Sequence, residues 1–258
     1  MKVLDCETEE TMYHSLYEIT GISRNDFASL FTSFDLDSFY EKNPKYPELP
    51  DELFLKKLLQ MANKGAFQFH ITNWFHLTRT AEPEVFRKGI LPLGENIDSI
   101  WDFLFLLQDG ALSKEEWKSF RESLETRYPS HSAYLYRLKV PNRMHWGPYA
   151  MLIRNVAFSA NEIGNHDYLA APEIIEDICD TFAETYGFDL IQSYKNSTKP
   201  CIVKFQVKEA NQKHLGIVVN YLYHRFHKME LSLHCNTCFD GGGQKIPQEA
   251  ILKIEVVE

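Results

Sequence analysis

The chain has 258 residues, of which 44% are hydrophobic and 24% charged, as is usual for a folded globular protein. Its formal charge of −9 excludes a uniformly basic surface that would bind polyanions along its whole extent. The five cysteines are too sparse for a disulfide framework, and the opening residues, MKVLDCETEE, predict no signal peptide, so we expect a cytoplasmic protein without a membrane span.

The start of the chain predicts a helical N-terminal element. Apolar residues recur at helical spacing in one stretch that includes Met12 and in another that includes Phe27. Three prolines between residues 44 and 50 then break the pattern before a further helix follows. We therefore divide the chain into a helical element, residues 1–65, and a main domain, residues 66–258.

The main domain mixes strands and helices without the regular alternation of a parallel sheet, which predicts an α+β fold. Residues 149–157 suit either a strand or a buried helix. The other strands are expected at residues 67–76, 132–140, 200–207, 229–234 and 250–257, and helices at 81–90, 97–107, 113–124 and 172–186.

Two segments carry residues that suit catalysis. The first, FHLTRTAEPEVFRKGILP, places His76 and Thr78 where a strand feeds a short helix, which puts an imidazole and a hydroxyl at the edge of a cleft. The second opens with MELSL, in which Glu230 begins a predicted strand, and closes with IPQEAILKIEVV. Taken singly, each segment is better explained without catalysis, the first by a histidine that caps a strand end and the second by a solvated glutamate on an edge strand.

Together the two segments resemble the ADP-ribosyltransferase superfamily, particularly its bacterial toxin and nucleic-acid-modifying branches. Members open their core with a strand that carries His, followed by a turn, a helix and a Gly-Ile or Gly-Leu pair. They close with a Glu at the start of a strand and a segment similar to IPQEAI. The resemblance implies a split, mixed to antiparallel β-core with flanking helices and NAD bound between two small sheets.

The resemblance also implies a role for individual residues. Glu230 stabilises the positive charge that develops on the ribose when nicotinamide leaves, and Gln244 is the second candidate for that position. His76 holds ribose hydroxyls. Further contacts to NAD are expected from Leu77, Thr78, Arg79 and Tyr149, with a surface ion pair as the alternative for Arg79 and a core tyrosine as the alternative for Tyr149.

The segment before Glu230 corresponds to the family's target-recognition loop. It is basic and aromatic in an acidic chain, which favours RNA or DNA over protein as the acceptor of ADP-ribose. Lys228 supports this choice, because members that modify protein arginine carry Gln or Glu there. The alternative is that this segment is a core helix or strand with solvated histidines and binds no acceptor. The acceptor-binding residues predicted here are Tyr223, His224, Arg225, His227 and Lys228.

A competing interpretation is a structural zinc site. His224 and His227 are followed by Cys235 and Cys238 at spacings that can close a tetrahedral site. On this view the protein is a non-catalytic binding module, and a third alternative is an inactive transferase fold. The leading hypothesis is an NAD-consuming transferase with a toxin-like or defence-like role, which implies a neutralising protein partner.

Overall fold

The computed structural model describes residues 1–257 and has a mixed α+β architecture. Within that range no helix is long and apolar enough to cross a membrane. The helices are α1 (Glu9–Thr20), α2 (Arg24–Ser33), α3 (Leu36–Lys42), α4 (Pro50–Met61), α5 (Leu93–Leu107), α6 (Lys114–Thr126), α7 (His131–Lys139), α8 (Glu173–Tyr186), α9 (Leu190–Ser197) and α10 (Lys213–His227). The strands are β1 (Val3–Leu4), β2 (Ile71–Thr80), β3 (Tyr149–Met151), β4 (Lys199–Val207), β5 (Cys238–Asp240) and β6 (Ile251–Val256).

The strands pair in the order β5-β3-β2-β4-β6, and β1 adds to β2. β1 runs parallel to β2, whereas β2 and β3 are antiparallel with Phe75 opposite Met151. The chain forms two compact units. The first contains Met1–Phe75, Met151–Asn165 and Phe205–Cys238, and the second contains His76–Ala150, His166–Lys204 and Phe239–Glu258. The predicted division after residue 65 stays a prediction.

The core of the first unit forms where α4 packs on α10. Gly216 permits this packing, because a Cβ at that position would collide with the Asp51 carbonyl oxygen. The hydroxyl of Tyr223 on α10 accepts a hydrogen bond from the Leu36 N–H at 3.0 Å. Its ring lies 5.2 Å from that of Phe54, so aromatic contacts fix the helices of this unit.

The second unit has its own core, built from α5 to α9. Trp101 and Trp117 pack with ring centroids 5.2 Å apart, and both lie within contact distance of Phe120. Trp101 donates its indole N–H to the Tyr136 hydroxyl at 3.0 Å, so its one polar atom is satisfied. The predicted helices at 97–107, 113–124 and 172–186 are confirmed, as is the capping box between Ser113 and Glu116.

Other sequence predictions are partly or wholly wrong. Residues 132–140 form helix α7 instead of a strand, because the Ser130 side chain caps the helix and Ala133 and Tyr136 are buried at helical spacing. Residues 149–157 contain the short β3 and then the 3-10 helix Arg154–Phe158. The helix at 81–90 is the 3-10 helix Pro83–Lys88.

The predicted strand at 229–234 is wrong as well. Glu230 lies outside regular structure, and the 3-10 helix Leu233–Cys235 follows. The cause is α10, whose side chains take the carbonyls of this segment: His224 Nδ1 donates to the Glu230 oxygen at 2.6 Å, and Asn220 Nδ2 donates to the His234 oxygen at 3.0 Å. The strands at 200–207 and 250–257 are confirmed as β4 and β6, and the strand at 67–76 is β2 with later bounds.

Candidate functional site

His76 is the predicted site residue with the most defined surroundings. It lies on β2, partly buried, and its Nδ1 is 2.7 Å from the Tyr149 carbonyl oxygen. A carbonyl oxygen can only accept, so Nδ1 carries the proton and the Nε2 of the neutral ring is an acceptor. Burial lowers the pKa of His76, opposed by this hydrogen bond, so the ring is neutral at pH 7. The Phe86 ring meets it edge-on at 6.1 Å.

Tyr149 stands beside His76 at the start of β3. Its side chain is 37% exposed, and its hydroxyl donates to the Met144 carbonyl at 3.0 Å. Burial raises the pKa of Tyr149, and the negative charges of Asp240 and Glu173 raise it further. The phenol is therefore uncharged at pH 7, and two carboxylates lie close enough to affect its ionisation.

The strand β5 brings Asp240 opposite Tyr149. Gly241 N–H donates to the Pro148 oxygen at 3.0 Å, which fixes the register of the two segments. One residue forward in β3 and one residue back in β5, Tyr149 faces Asp240. Directly opposed residues of antiparallel strands point to the same face and bring their Cβ atoms to about 5 Å. The exposed Asp240 carboxylate thus belongs beside the phenol.

Three glycines, residues 241–243, follow Asp240 and form a turn at the end of β5. Their backbone N–H groups are used internally: Gly242 donates to Asp240 Oδ1 at 2.8 Å and Gly243 to the Gly147 oxygen at 2.7 Å. The loop therefore offers a phosphate no cradle of free N–H groups. A Cβ at Gly243 would meet Arg143 Cγ at 2.6 Å, which explains the small residue there.

Arg79 has a structural role in the second unit. Its guanidinium makes four hydrogen bonds: to the Thr198 hydroxyl and the carbonyl oxygens of Thr198, Lys195 and Leu169. Leu77 is buried, and Thr78 Oγ1 is 3.4 Å from the Arg79 carbonyl oxygen. A phosphate at Arg79 would have to replace some of these contacts. The guanidinium binds backbone carbonyls and the Thr198 hydroxyl, not the surface carboxylate of the alternative interpretation, and its contact to NAD stays a prediction.

The structure places Glu230 in the first unit, in the loop after α10. Its side chain is exposed, and its carbonyl oxygen accepts from His224. The strand start that the family pattern requires for this glutamate is not formed here. Gln244, the second candidate, is exposed in the second unit, and its N–H donates to the Gly241 oxygen at 3.0 Å.

The predicted acceptor-binding loop is the last part of helix α10 and the residue after it. Tyr223 and His224 are buried in the core of the first unit. This agrees with the alternative of a core helix, except that the alternative expected solvated histidines and His224 is buried. Arg225, His227 and Lys228 are exposed. Arg225 lies 3.5 Å from a Glu9 carboxylate oxygen, and the His227 Nε2 is 3.0 Å from the Phe31 carbonyl oxygen.

The four candidate zinc ligands do not form an evident site. His224 and His227 each have one ring nitrogen within hydrogen-bond distance of a backbone carbonyl. Cys235 is buried and receives the Asn220 amide at 3.5 Å, whereas Cys238 is exposed at the start of β5. Within residues 1–257, no three His, Cys, Asp or Glu side chains are grouped so that they could hold a metal ion.

Sequence reasoning missed Asp240. The signal in the sequence was an aspartate directly before three glycines, a pattern typical of a tight turn in which the carboxylate accepts a backbone N–H. The structure shows that turn and adds the pairing with Tyr149, which depends on strand register. No protein-family model, curated protein or solved structure matches the chain.

Proposed function

We propose that this protein transfers ADP-ribose from NAD to a macromolecular acceptor, RNA or DNA in preference to protein. The observation that carries the proposal is the hydrogen bond between His76 Nδ1 and the Tyr149 carbonyl. It holds a neutral imidazole in one tautomer with Nε2 as an acceptor.

The neutral imidazole suits the ribose part of NAD. His76 Nε2 accepts a hydrogen bond from a ribose hydroxyl, and the neutral ring adds no positive charge beside the nicotinamide cation. Because Phe75 lies opposite Met151, the side chains of His76 and Tyr149 point to opposite faces of the sheet, and the part of Tyr149 in this proposal is its backbone carbonyl, which holds the imidazole. Both residues lie in the second unit and are fixed by backbone contacts.

The end of α10 supports a nucleic-acid acceptor. Arg225 and Lys228 are exposed there, and Phe226 between them is 45% exposed. A cation beside an open aromatic ring suits phosphates and unstacked bases. A toxin-like or defence-like role, with a neutralising partner, remains part of the proposal on the strength of the sequence resemblance.

The proposal is tested with NAD labelled in its adenylate group, incubated with RNA, single-stranded DNA, duplex DNA or total cell protein. His76→Asn keeps a donor for the Tyr149 carbonyl and removes the acceptor at Nε2. We expect label on a nucleic acid with wild-type protein, and a KM for NAD raised about tenfold in the variant, the worth of one hydrogen bond.

His131→Asn is the matched control, because His131 is an exposed histidine on α7. An unchanged KM in His76→Asn would remove His76 from the NAD site. Absence of label on any polymer would contradict the transferase. In that case, stoichiometric zinc in the wild-type protein that is lost in Cys238→Ser would support the alternative of a zinc-stabilised binding module. Binding of NAD without its consumption would instead indicate an inactive transferase fold.

A further inference from the structure

We propose that the chain pairs with a second copy of itself through strand β6, Ile251–Val256, as two antiparallel strands related by a twofold axis. β6 is the last strand in the order of the sheet, and in the part of the chain that the structure describes no strand pairs with its far side. An edge strand of this kind offers backbone N–H and C=O groups that a second strand can bind. The pairing does not depend on the proposed transfer of ADP-ribose.

The backbone groups on the open side of β6 belong to alternate residues. Val257 N–H donates to the Pro200 oxygen of β4 at 2.9 Å, so the odd-numbered residues of this segment face β4. The N–H and C=O groups of Leu252, Ile254 and Val256 therefore point away from the sheet. Among residues 1–257, none of these three forms a backbone hydrogen bond outside the strand pairs of the sheet.

The side chains of β6 are also accessible to a partner. Leu252 is 47% exposed and Val256 is 43% exposed, although the 3-10 helix Pro83–Lys88 contacts the strand. On the opposite face of β6, the Lys253 side chain is half exposed, and its Nζ lies 3.5 Å from a Glu255 carboxylate oxygen. The strand thus presents apolar side chains on one face and one residue of each charge on the other.

The two charges select one register for the pair. A twofold pairing that uses most of β6 and joins its outward-facing residues has its axis at residue 253, 254 or 255. An axis at Lys253 or at Glu255 sets that residue against its own copy, and two like charges directly opposite are repulsive. An axis at Ile254 sets Lys253 opposite Glu255 on both sides of the axis, and Leu252 opposite Val256.

This register also changes the usual effect of a lysine on an edge strand. Such a lysine normally discourages pairing, because its charge is brought against another strand. In the register centred on Ile254, each Lys253 meets a carboxylate in a non-hydrogen-bonded pair, the type with the closer side chains. Because each chain contributes one short strand, we expect a dissociation constant on the order of 10 µM.

Two charge reversals, Lys253→Glu and Glu255→Lys, test the pairing by sedimentation velocity from about 1 to 200 µM protein, a range that brackets weak association. Each variant alone has two like-charged pairs in the dimer. An equimolar mixture of the two restores opposite charges between the chains but not within either chain, so it separates the dimer from the ion pair inside β6. Lys114→Glu is the control, because it makes the same charge change at an exposed position on α6.

We expect wild type and Lys114→Glu to form dimers over this range. The dissociation constant of each β6 variant should rise at least about tenfold, and the mixture should associate about as strongly as wild type. If a charge reversal prevents folding, Leu252→Pro serves instead, because it removes one outward N–H and should also abolish the dimer. A wild-type protein that stays monomeric, a mixture no more associated than its components, or a dimer that persists in folded Leu252→Pro would overturn the inference.

Discussion

At the scale of single residues, a buried histidine of the first unit carries a free-energy cost that depends on pH. His214 is 4% exposed, and burial lowers its pKa to about 4. Its Nδ1 lies 3.4 Å from a Glu209 carboxylate oxygen, and burial raises the pKa of that carboxyl group. The Trp74 ring meets the imidazole edge-on at 5.2 Å. Burial thus favours the neutral form of both titratable groups.

This histidine should make the protein less stable in acid. Its pKa rises from about 4 when folded to 6.5 when unfolded, so its stabilising contribution is complete above pH 6.5 and is lost as the pH falls towards 4. The loss between pH 7 and pH 5 is about 2 kcal/mol of unfolding free energy. Urea unfolding at both pH values should show that difference between wild type and His214→Leu, which lacks the titrating group.

His131→Leu, at an exposed position on α7, is the control. The stability difference between wild type and His131→Leu should stay constant from pH 7 to pH 5. If wild type and His214→Leu also kept a constant difference, His214 would not be a buried neutral histidine.

At the scale of elements, the contact between α4 and α10 depends on one glycine. A Cβ at Gly216 would collide with the Asp51 carbonyl oxygen and lie 3.0 Å from Leu55 Cβ. The Asp51 oxygen is a backbone atom of α4, so it cannot move aside as the flexible end of a side chain could. The two helices must therefore separate to admit even a methyl group.

Gly216→Ala should lower the free energy of unfolding by about 2 kcal/mol. Overpacking costs up to about 3 kcal/mol, and the better helix propensity of Ala returns about 1 kcal/mol. Urea unfolding at pH 7 measures the change. Gly65→Ala is the control, because nothing lies within 4 Å of a Cβ at Gly65. A Gly216→Ala protein as stable as wild type would show that the helices do not pack this closely.

The elements also show where local sequence patterns suffice. The helices α5, α6 and α8 were predictable because an apolar stripe, and in α6 the capping box of Ser113, lie within each segment. The loop at Glu230 was not, because His224 and Asn220 on α10 bind its carbonyl groups. Such bonds depend on the tertiary fold, which short-range periodicity does not record.

At the scale of the whole molecule, the two units are built from segments that are distant in sequence. Reading the chain in order suggested a boundary after residue 65, since composition changes there, but it could not show which later segments return to each unit. The same limit applied to the site. The pattern around His76 selected that residue, whereas the pairing of Tyr149 with Asp240 depends on a strand register that forms only in the folded chain.

The most direct test of the central claim is to measure nicotinamide release and label transfer in one reaction, with the purified protein, adenylate-labelled NAD and the nucleic acid that gives the strongest labelling. Transfer of ADP-ribose requires one nicotinamide released for each label bound to the polymer. We predict that ratio, with both signals reduced together in His76→Asn at NAD concentrations below KM. Nicotinamide release no greater than in a reaction without protein would contradict the account.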